Sequence, residues 1–233
     1  CGDKTASDIE AGDKVCSQPF DMYPFGDKKE VYYTDSNGSK KKFECDFDGG
    51  WLIGIIAATG YYDKNNHIVI TQNRDRVLAN MDRILSEKKY VYYGNALSVK
   101  ENYTDVYIKD SSLSYMIQTT FLPKSIDCDK RLNGSILQYN KDFVKGIISG
   151  VLDGDQYSKD LEVSTHVFLE SRTLINQISF LIRMFGSHVK GVPPMLINGG
   201  KNTRYLYGVR FTRQCDVLQF NCARNSPFDV KMI

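Results

Sequence analysis

The feature that most constrains this chain is an apolar, glycine-bearing segment that occurs twice. Trp51-Leu52-Ile53-Gly54-Ile55-Ile56-Ala57-Ala58 is apolar on every side. A helix of that kind is buried all round rather than laid on a surface. Residues 143–152 read as a second such helix, starting about 95 residues after the first. Each is followed by a strand (67–71; 162–168), an amphipathic helix (74–88; 171–185) and a hairpin (90–99 with 103–109; 188–197 with 203–211). The helices are read from apolar residues at helical spacing, Val77, Leu78, Met81, Ile84 and Leu85 in one copy and Leu174, Ile175, Ile178, Leu181 and Ile182 in the other. This is an internal duplication with too long a period for a solenoid, and it implies a single-chain version of a symmetric dimer.

The repeated helices share a stripe of small residues. Gly54 and Ala58 are four apart, as are Gly146, Gly150 and Gly154, and residues at i and i+4 lie on one helix face. A glycine inside a helix costs about 1 kcal/mol relative to alanine. Accepting it several times in register points to two backbones in close approach at a helix interface of Gly54, Ala58, Gly150 and Gly154. The second helix ends in Leu152-Asp153-Gly154-Asp155. Paired helix ends carry exposed carbonyls and partial negative charge, so a carboxylate there is costly until a cation joins it. A hard divalent ion such as Mg²⁺ offsets that repulsion and suits phosphodiester cleavage. The plainer reading is that Asp153 or Asp155 caps the following turn.

Composition narrows the class. The 233 residues, 42% hydrophobic with 15 Tyr and 12 Phe, are a folded chain of one large or two small domains. A net charge of +2 excludes a strongly basic protein but not a nucleic-acid binder with its charge sorted onto one face. No apolar run reaches the roughly 18 residues of a membrane helix. The six cysteines are scattered without a CxxC pair, which argues against zinc and for reduced thiols in an intracellular setting, cytoplasm or nucleus. Residues 1–45 form a polar, turn-rich N-terminal segment with a short strand at 31–33 and an exposed turn at 36–42. Residues 112–121 read as a helix capped by Ser111 or Ser112, and 123–140 as a linker.

At this point the motifs resemble a known family. Ile148-Ser149-Gly150-Val151-Leu152-Asp153-Gly154-Asp155-Gln156 resembles the signature of the LAGLIDADG homing endonucleases, and Leu52-Ile53-Gly54-Ile55-Ile56-Ala57-Ala58-Thr59-Gly60 resembles a weaker first copy. The resemblance covers about residues 46–211 and divides the chain into 1–45, a first repeat with linker at 46–140, and a second repeat with tail at 141–233. It implies an α+β fold of two pseudo-twofold αββαββα repeats, each with a curved antiparallel sheet laid along duplex DNA, in a monomer that cuts both strands with Mg²⁺. It also implies a metal-binding acid at the penultimate motif position. Asp155 supplies it in the second copy; Thr59 stands there in the first, and a neutral hydroxyl is a poor replacement for a carboxylate. Asp63 lies four residues on, and Gln156 replaces the usual glycine. One half-site is therefore read as intact and the other as impaired, with loss of cleavage or nicking as the consequence. Lys201 or Lys190 is the candidate for the active-site cation that the family carries.

The sheets and loops are rich in groups that contact DNA, among them Lys100, Lys109, Gln72 and Asn73 in the first repeat and Lys190, Arg204 and Arg210 in the second. Near the start, Ile9-Glu10-Ala11-Gly12-Asp13-Lys14-Val15 resembles a segment of inteins, and Cys1 matches an intein's first-residue nucleophile. The chain ends without the His-Asn that splicing requires, which points to an intein remnant rather than a self-splicing element. Two further readings stand beside the nuclease: a non-catalytic nucleic-acid-binding protein on the same scaffold, a maturase or regulator, which Thr59 favours, and a part of a protein-splicing intein.

Overall fold

The computed structural model describes residues 25–97, 103–124, 129–154, 160–161, 164–187, 189–199 and 202–212. A two-stranded ribbon comes first, β1 (Glu30–Thr34) against β2 (Lys40–Glu44). Its turn is closed by Asp35, whose Oδ1 accepts from the Asn37 and Ser39 amides, and by Gly38 at φ 78°, a left-handed conformation that glycine adopts without a Cβ clash. The strand expected at 31–33 is present. The lysine run expected in an exposed turn instead builds β2, where Lys42 bridges Glu30 and Glu44.

Repeat 1 then runs α1 (Phe47–Thr59), β3 (Gly60–Tyr62), β4 (Ile68–Gln72), α2 (Asp75–Glu87), β5 (Tyr92–Leu97), β6 (Tyr103–Ile108) and α3 (Ser111–Thr120). Repeat 2 runs α4 (Lys141–Gly154), β7 (Asp160–Leu161), β8 (Ser164–Leu169), α5 (Arg172–Met184), β9 (Val189–Gly199) and β10 (Asn202–Thr212). Each repeat has one four-stranded antiparallel sheet, in the equivalent orders β3-β4-β6-β5 and β7-β8-β10-β9. This is the expected α+β architecture of two like repeats. The tail of repeat 2 after β10 lies outside the described residues.

Local chemistry explains the boundaries. Asp46 caps α1, accepting from Gly49 N–H at 2.7 Å, and Gly60 ends the helix. Ser171 caps α5 through Leu174 N–H. Asp110 caps α3, in place of the expected Ser111 or Ser112, because its carboxylate reaches Leu113 N–H from one position earlier. The segment 123–140 is not a plain linker. A 3₁₀ turn (Gly134–Gln138) lies in it, and Leu132, Ile136 and Tyr139 are buried. Tyr139 packs its ring on Phe121 and Phe143, so the apolar residues of this polar-looking stretch stitch the two repeats together.

One face of each sheet packs on helices. In repeat 1 that face holds Ile68, Ile70, Val106 and Ile108; in repeat 2, Val167, Leu169, Val209 and Phe211. The opposite faces are the ones left to carry function. Cys45, the one cysteine among the described residues, is free and buried, and burial pushes its thiol up to about 12. Among the described residues no helix is long and apolar enough to cross a membrane.

Candidate functional site

The two apolar helices meet at the centre through their glycines. A Cβ built on Gly50 would fall 2.0 Å from Phe143 O, and one on Gly146 would fall 2.1 Å from Phe47 O. A Cβ on Gly54 would fall 2.1 Å from Ile147 O, and one on Gly150 would fall 2.1 Å from Trp51 O. These contacts are reciprocal: each residue of one helix meets the residue that the partner uses in return, as at a twofold axis. No side chain fits there, so backbone lies on backbone. Gly50, which the reading of the stripe left out, belongs to it; its signal was four-residue spacing from Gly54, hidden beside Gly49.

The contact continues to the helix ends. A Cβ on Gly154 would lie 2.6 Å from Ala58 Cβ and 3.6 Å from Thr59 Cγ2. The last described residue of the second motif thus adjoins the residue that stands where the first motif's acid is expected. Asp155, Lys100 and Lys201 lie outside the described residues. The Thr59 hydroxyl is turned back along its own helix and donates to Ile55 O at 3.1 Å. Asp63 does not replace the missing acid. It closes the β3–β4 turn, accepting from Asn65 and His67 N–H, each at 2.8 Å. Against an opposing desolvation, these amides hold its carboxyl below the usual aspartate range.

Asp153 is 1% exposed, and its Oδ2 accepts from Trp51 Nε1 at 2.8 Å across the helix pair; the turn it was expected to cap lies outside the described residues. This is a buried polar contact between repeats, made where the reciprocal positions, Ala57 and Ile147, are apolar. Each helix end also receives a cation, one from the other repeat and one from the segment that joins the repeats. Arg74, at the start of α2, donates from Nη1 to Asp153 O at 3.4 Å. Lys130 donates from Nζ to Gly60 O at 2.6 Å and Ala58 O at 3.3 Å. Lysine and arginine are favoured at helix C-termini, where carbonyls have no intrahelical partner.

Among the described residues the oxygen donors at the α1 end are a hydroxyl committed to Ile55 O and two carbonyls that already accept from an ammonium, a poor set for a divalent metal. No cluster of three or more His, Cys, Asp or Glu occurs among the described residues. On the α4 side the carboxylate in question is that of Asp155.

The outer sheet faces differ in chemistry. In repeat 1, Tyr61, Val69, Tyr107 and Tyr93 stand in one cross-strand row. Tyr93 and Tyr107 stack at 4.7 Å, with the exposed Lys109 4.2 Å over Tyr93. Beside that row, Thr71 donates to the buried Asp105 at 2.6 Å. In repeat 2, the corresponding row is His166, Arg210 and Lys190, with Arg210 and Lys190 exposed. Arg204 lies on β10 opposite Ile197. Gln72, expected among the DNA-contacting groups, is fully buried on the helix-facing side of β4, with its Oε1 accepting from Asn73 N–H and no partner for Nε2 among the described residues.

No protein-family profile matches the chain. It is 30% identical over 146 residues to the DNA-directed RNA polymerase subunit Rpo1C of Methanocaldococcus jannaschii, a match of 61% of this chain and 16% of that protein. The chain therefore spans only a small part of the length of the curated relative it matches. Among solved structures it is similar to the homing endonuclease I-DmoI in complex with DNA and Mn, at 13% identity over 78% of this chain and 99% of that one, with a TM-score of 0.48. It is likewise similar to the N-terminal LAGLIDADG domain of DUF199/WhiA, at 14% identity over 81% of this chain and 85% of that one, TM-score 0.48. By its own geometry the chain has two like sheets around a central pair of glycine-packed helices, the architecture that its duplicated motif implies.

Proposed function

We propose that this chain is a site-specific DNA-binding protein of the LAGLIDADG homing endonuclease type, with a single competent half-site on the repeat-2 side. The observation that carries the reading is the meeting of Gly154 with Ala58 and Thr59 at the shared end of the helix pair. That contact brings the residue before Asp155 beside Thr59, which supports a shared axis where one duplex addresses both motif ends. The sheets flank the axis, and the Lys190 and Arg210 row offers phosphate and base contacts. Asp155 is the residue assigned to hold a divalent cation, which supplies positive charge to a phosphodiester undergoing attack. Thr59 cannot do the same for the second strand. A monomer suffices, because one chain carries both repeats. The match to part of an RNA polymerase subunit supports a segment carried inside a longer polypeptide, as the intein-like residues 9–15 also suggest.

The test uses a duplex made by joining the DNA that flanks this chain's own coding segment, incubated with the full chain and Mg²⁺ or Mn²⁺. Scission of one strand, lost in Asp155→Asn, supports the proposal. The absence of both scission and duplex retention overturns it. Tight, metal-independent retention without scission would favour the second reading, a binding protein on the same scaffold. That reading draws on the Thr59 hydroxyl being committed to Ile55 O.

A further inference from the structure

The α1 helix end has a cation of its own. Lys130 does not sit there as a loose surface side chain. Its backbone carbonyl accepts from Ser171 Oγ at 2.6 Å. Its neighbour Asp129 shares that Ser171 hydroxyl at 2.9 Å and accepts from Thr173 Oγ1 at 2.7 Å. Two residues further, Leu132 exchanges hydrogen bonds with Gln177, both at 2.8 Å. The segment is thus fastened along α5 of repeat 2, and from that anchorage the ammonium reaches across to repeat 1. It lands on Gly60 O and Ala58 O, the carbonyls on either side of Thr59.

We infer that Lys130 is the resident cation of the α1 helix end: its ammonium occupies the carbonyl oxygens on either side of Thr59 and so keeps a divalent ion from that end. The physical grounds are charge and space. A carbonyl pair beside a helix C-terminus attracts one cation, and a compact ammonium with three donors satisfies both oxygens. A divalent ion needs several oxygen ligands close around it and strongly repels a neighbouring ammonium. Replacing an acid by Thr59 and supplying a fixed positive charge are complementary changes. With a carboxylate at 59 and Lys130 in place, the two would form an internal ion pair instead of a metal site. This inference rests on the reading of the paired ends as the DNA-cleaving centre, and it explains why only one strand would be attacked.

The test counts metal rather than cleavage. The full chain is titrated with Tb³⁺, whose emission is sensitised by nearby aromatic rings such as Tyr61 and Tyr62, in an Asp155→Asn background that silences the α4 side. Thr59→Asp alone should add little emission. Thr59→Asp with Lys130→Met should bind Tb³⁺ at least tenfold more tightly. Thr59→Asp with Lys130→Arg should behave like Thr59→Asp alone, because the charge is kept. Equal affinity in Thr59→Asp and its Lys130→Met derivative overturns the inference, as does a derivative that binds no better than the parent. Circular dichroism confirms folding, and Lys130→Gln takes the place of Lys130→Met where the latter is unfolded. DNA plays no part in the measurement. A chain that follows this pattern yet never cuts DNA would count against the nuclease reading and leave Lys130 as assigned.

Discussion

Thr59 of α1 and Gly154 of α4 lie side by side, yet the two repeats finish their helices differently. Repeat 1 has a hydroxyl folded back on its own helix and an ammonium on its last carbonyls. Repeat 2 has a buried aspartate tied to Trp51, Arg74 over its carbonyl, and Asp155 next in the chain. The outer faces diverge in the same sense, a tyrosine row on one sheet and a basic row on the other. Between the helices, by contrast, the glycine contacts are reciprocal to within a tenth of an ångström. A Cβ at any of the four glycines would meet the facing backbone at about 2 Å, whereas the helix ends carry no such constraint on each other. A pseudo-twofold can therefore keep its axis while its two half-sites part in function.

The comparison breaks most completely at the axis. Gly54→Leu or Gly150→Leu places side-chain atoms where Ile147 O or Trp51 O already lies. Each should cost about 4 kcal/mol or more, or prevent folding, in urea denaturation. Gly134→Ala, with open space around it, should stay within about 0.5 kcal/mol of the parent. Equal effects at Gly54 and Gly134 would remove the glycine-packed axis.

The polar asymmetry across the axis is the next target. Trp51→Phe takes away the indole donor at 2.8 Å from Asp153 and should cost about 2 kcal/mol, because a buried carboxylate loses a hydrogen bond. A double-mutant cycle with Asp153→Asn should give a coupling of about 1 kcal/mol or more. Strict additivity would show that the pair is incidental.

On the outer faces the expected effect is smaller and is read on DNA. Arg210→Ala should lower the salt slope of duplex binding by about one, as the loss of one phosphate contact does. Lys109→Ala should change it less, since that ammonium already lies over Tyr93. The reverse order would move the main DNA contact to repeat 1.

The smallest effect is at the anchorage of Lys130. Hydrogen bonds from Thr173 and Ser171 hold the Asp129 carboxyl below the usual aspartate range. A depressed carboxylate stabilises the fold above its unfolded value, near 4, and that gain is lost as pH falls through the folded value. Asp129→Asn should therefore lower Tm slightly at neutral pH and not at all in strong acid. A Tm difference that grows toward acid would contradict the assignment.

Much of this was legible beforehand. The apolar helix around Trp51, the periodic helices at 75–87 and 172–184 and the hairpins follow from local patterning, which the backbone obeys wherever burial is uniform along an element. The short strands β3 and β7 are not legible in the sequence, since three and two residues carry no readable period. Gln72 looks outward-facing from its polarity, which says nothing of sheet face; its register opposite Thr104, two residues on from Ile70, puts it on the inner side. Lys130 looks like part of a polar linker, because its partners, Ala58 O and Gly60 O, are seventy or more positions away.

The duplication, the small-residue stripe and the inequality of Thr59 and Asp155 are matters of residue type and spacing and can be read from the chain directly. Which cation serves which helix end, and the hold of Trp51 of one repeat on Asp153 of the other, follow from packing in three dimensions. These are contacts between distant segments, fixed by how two backbones pack at glycines and by what that packing brings within reach of the freed carbonyls.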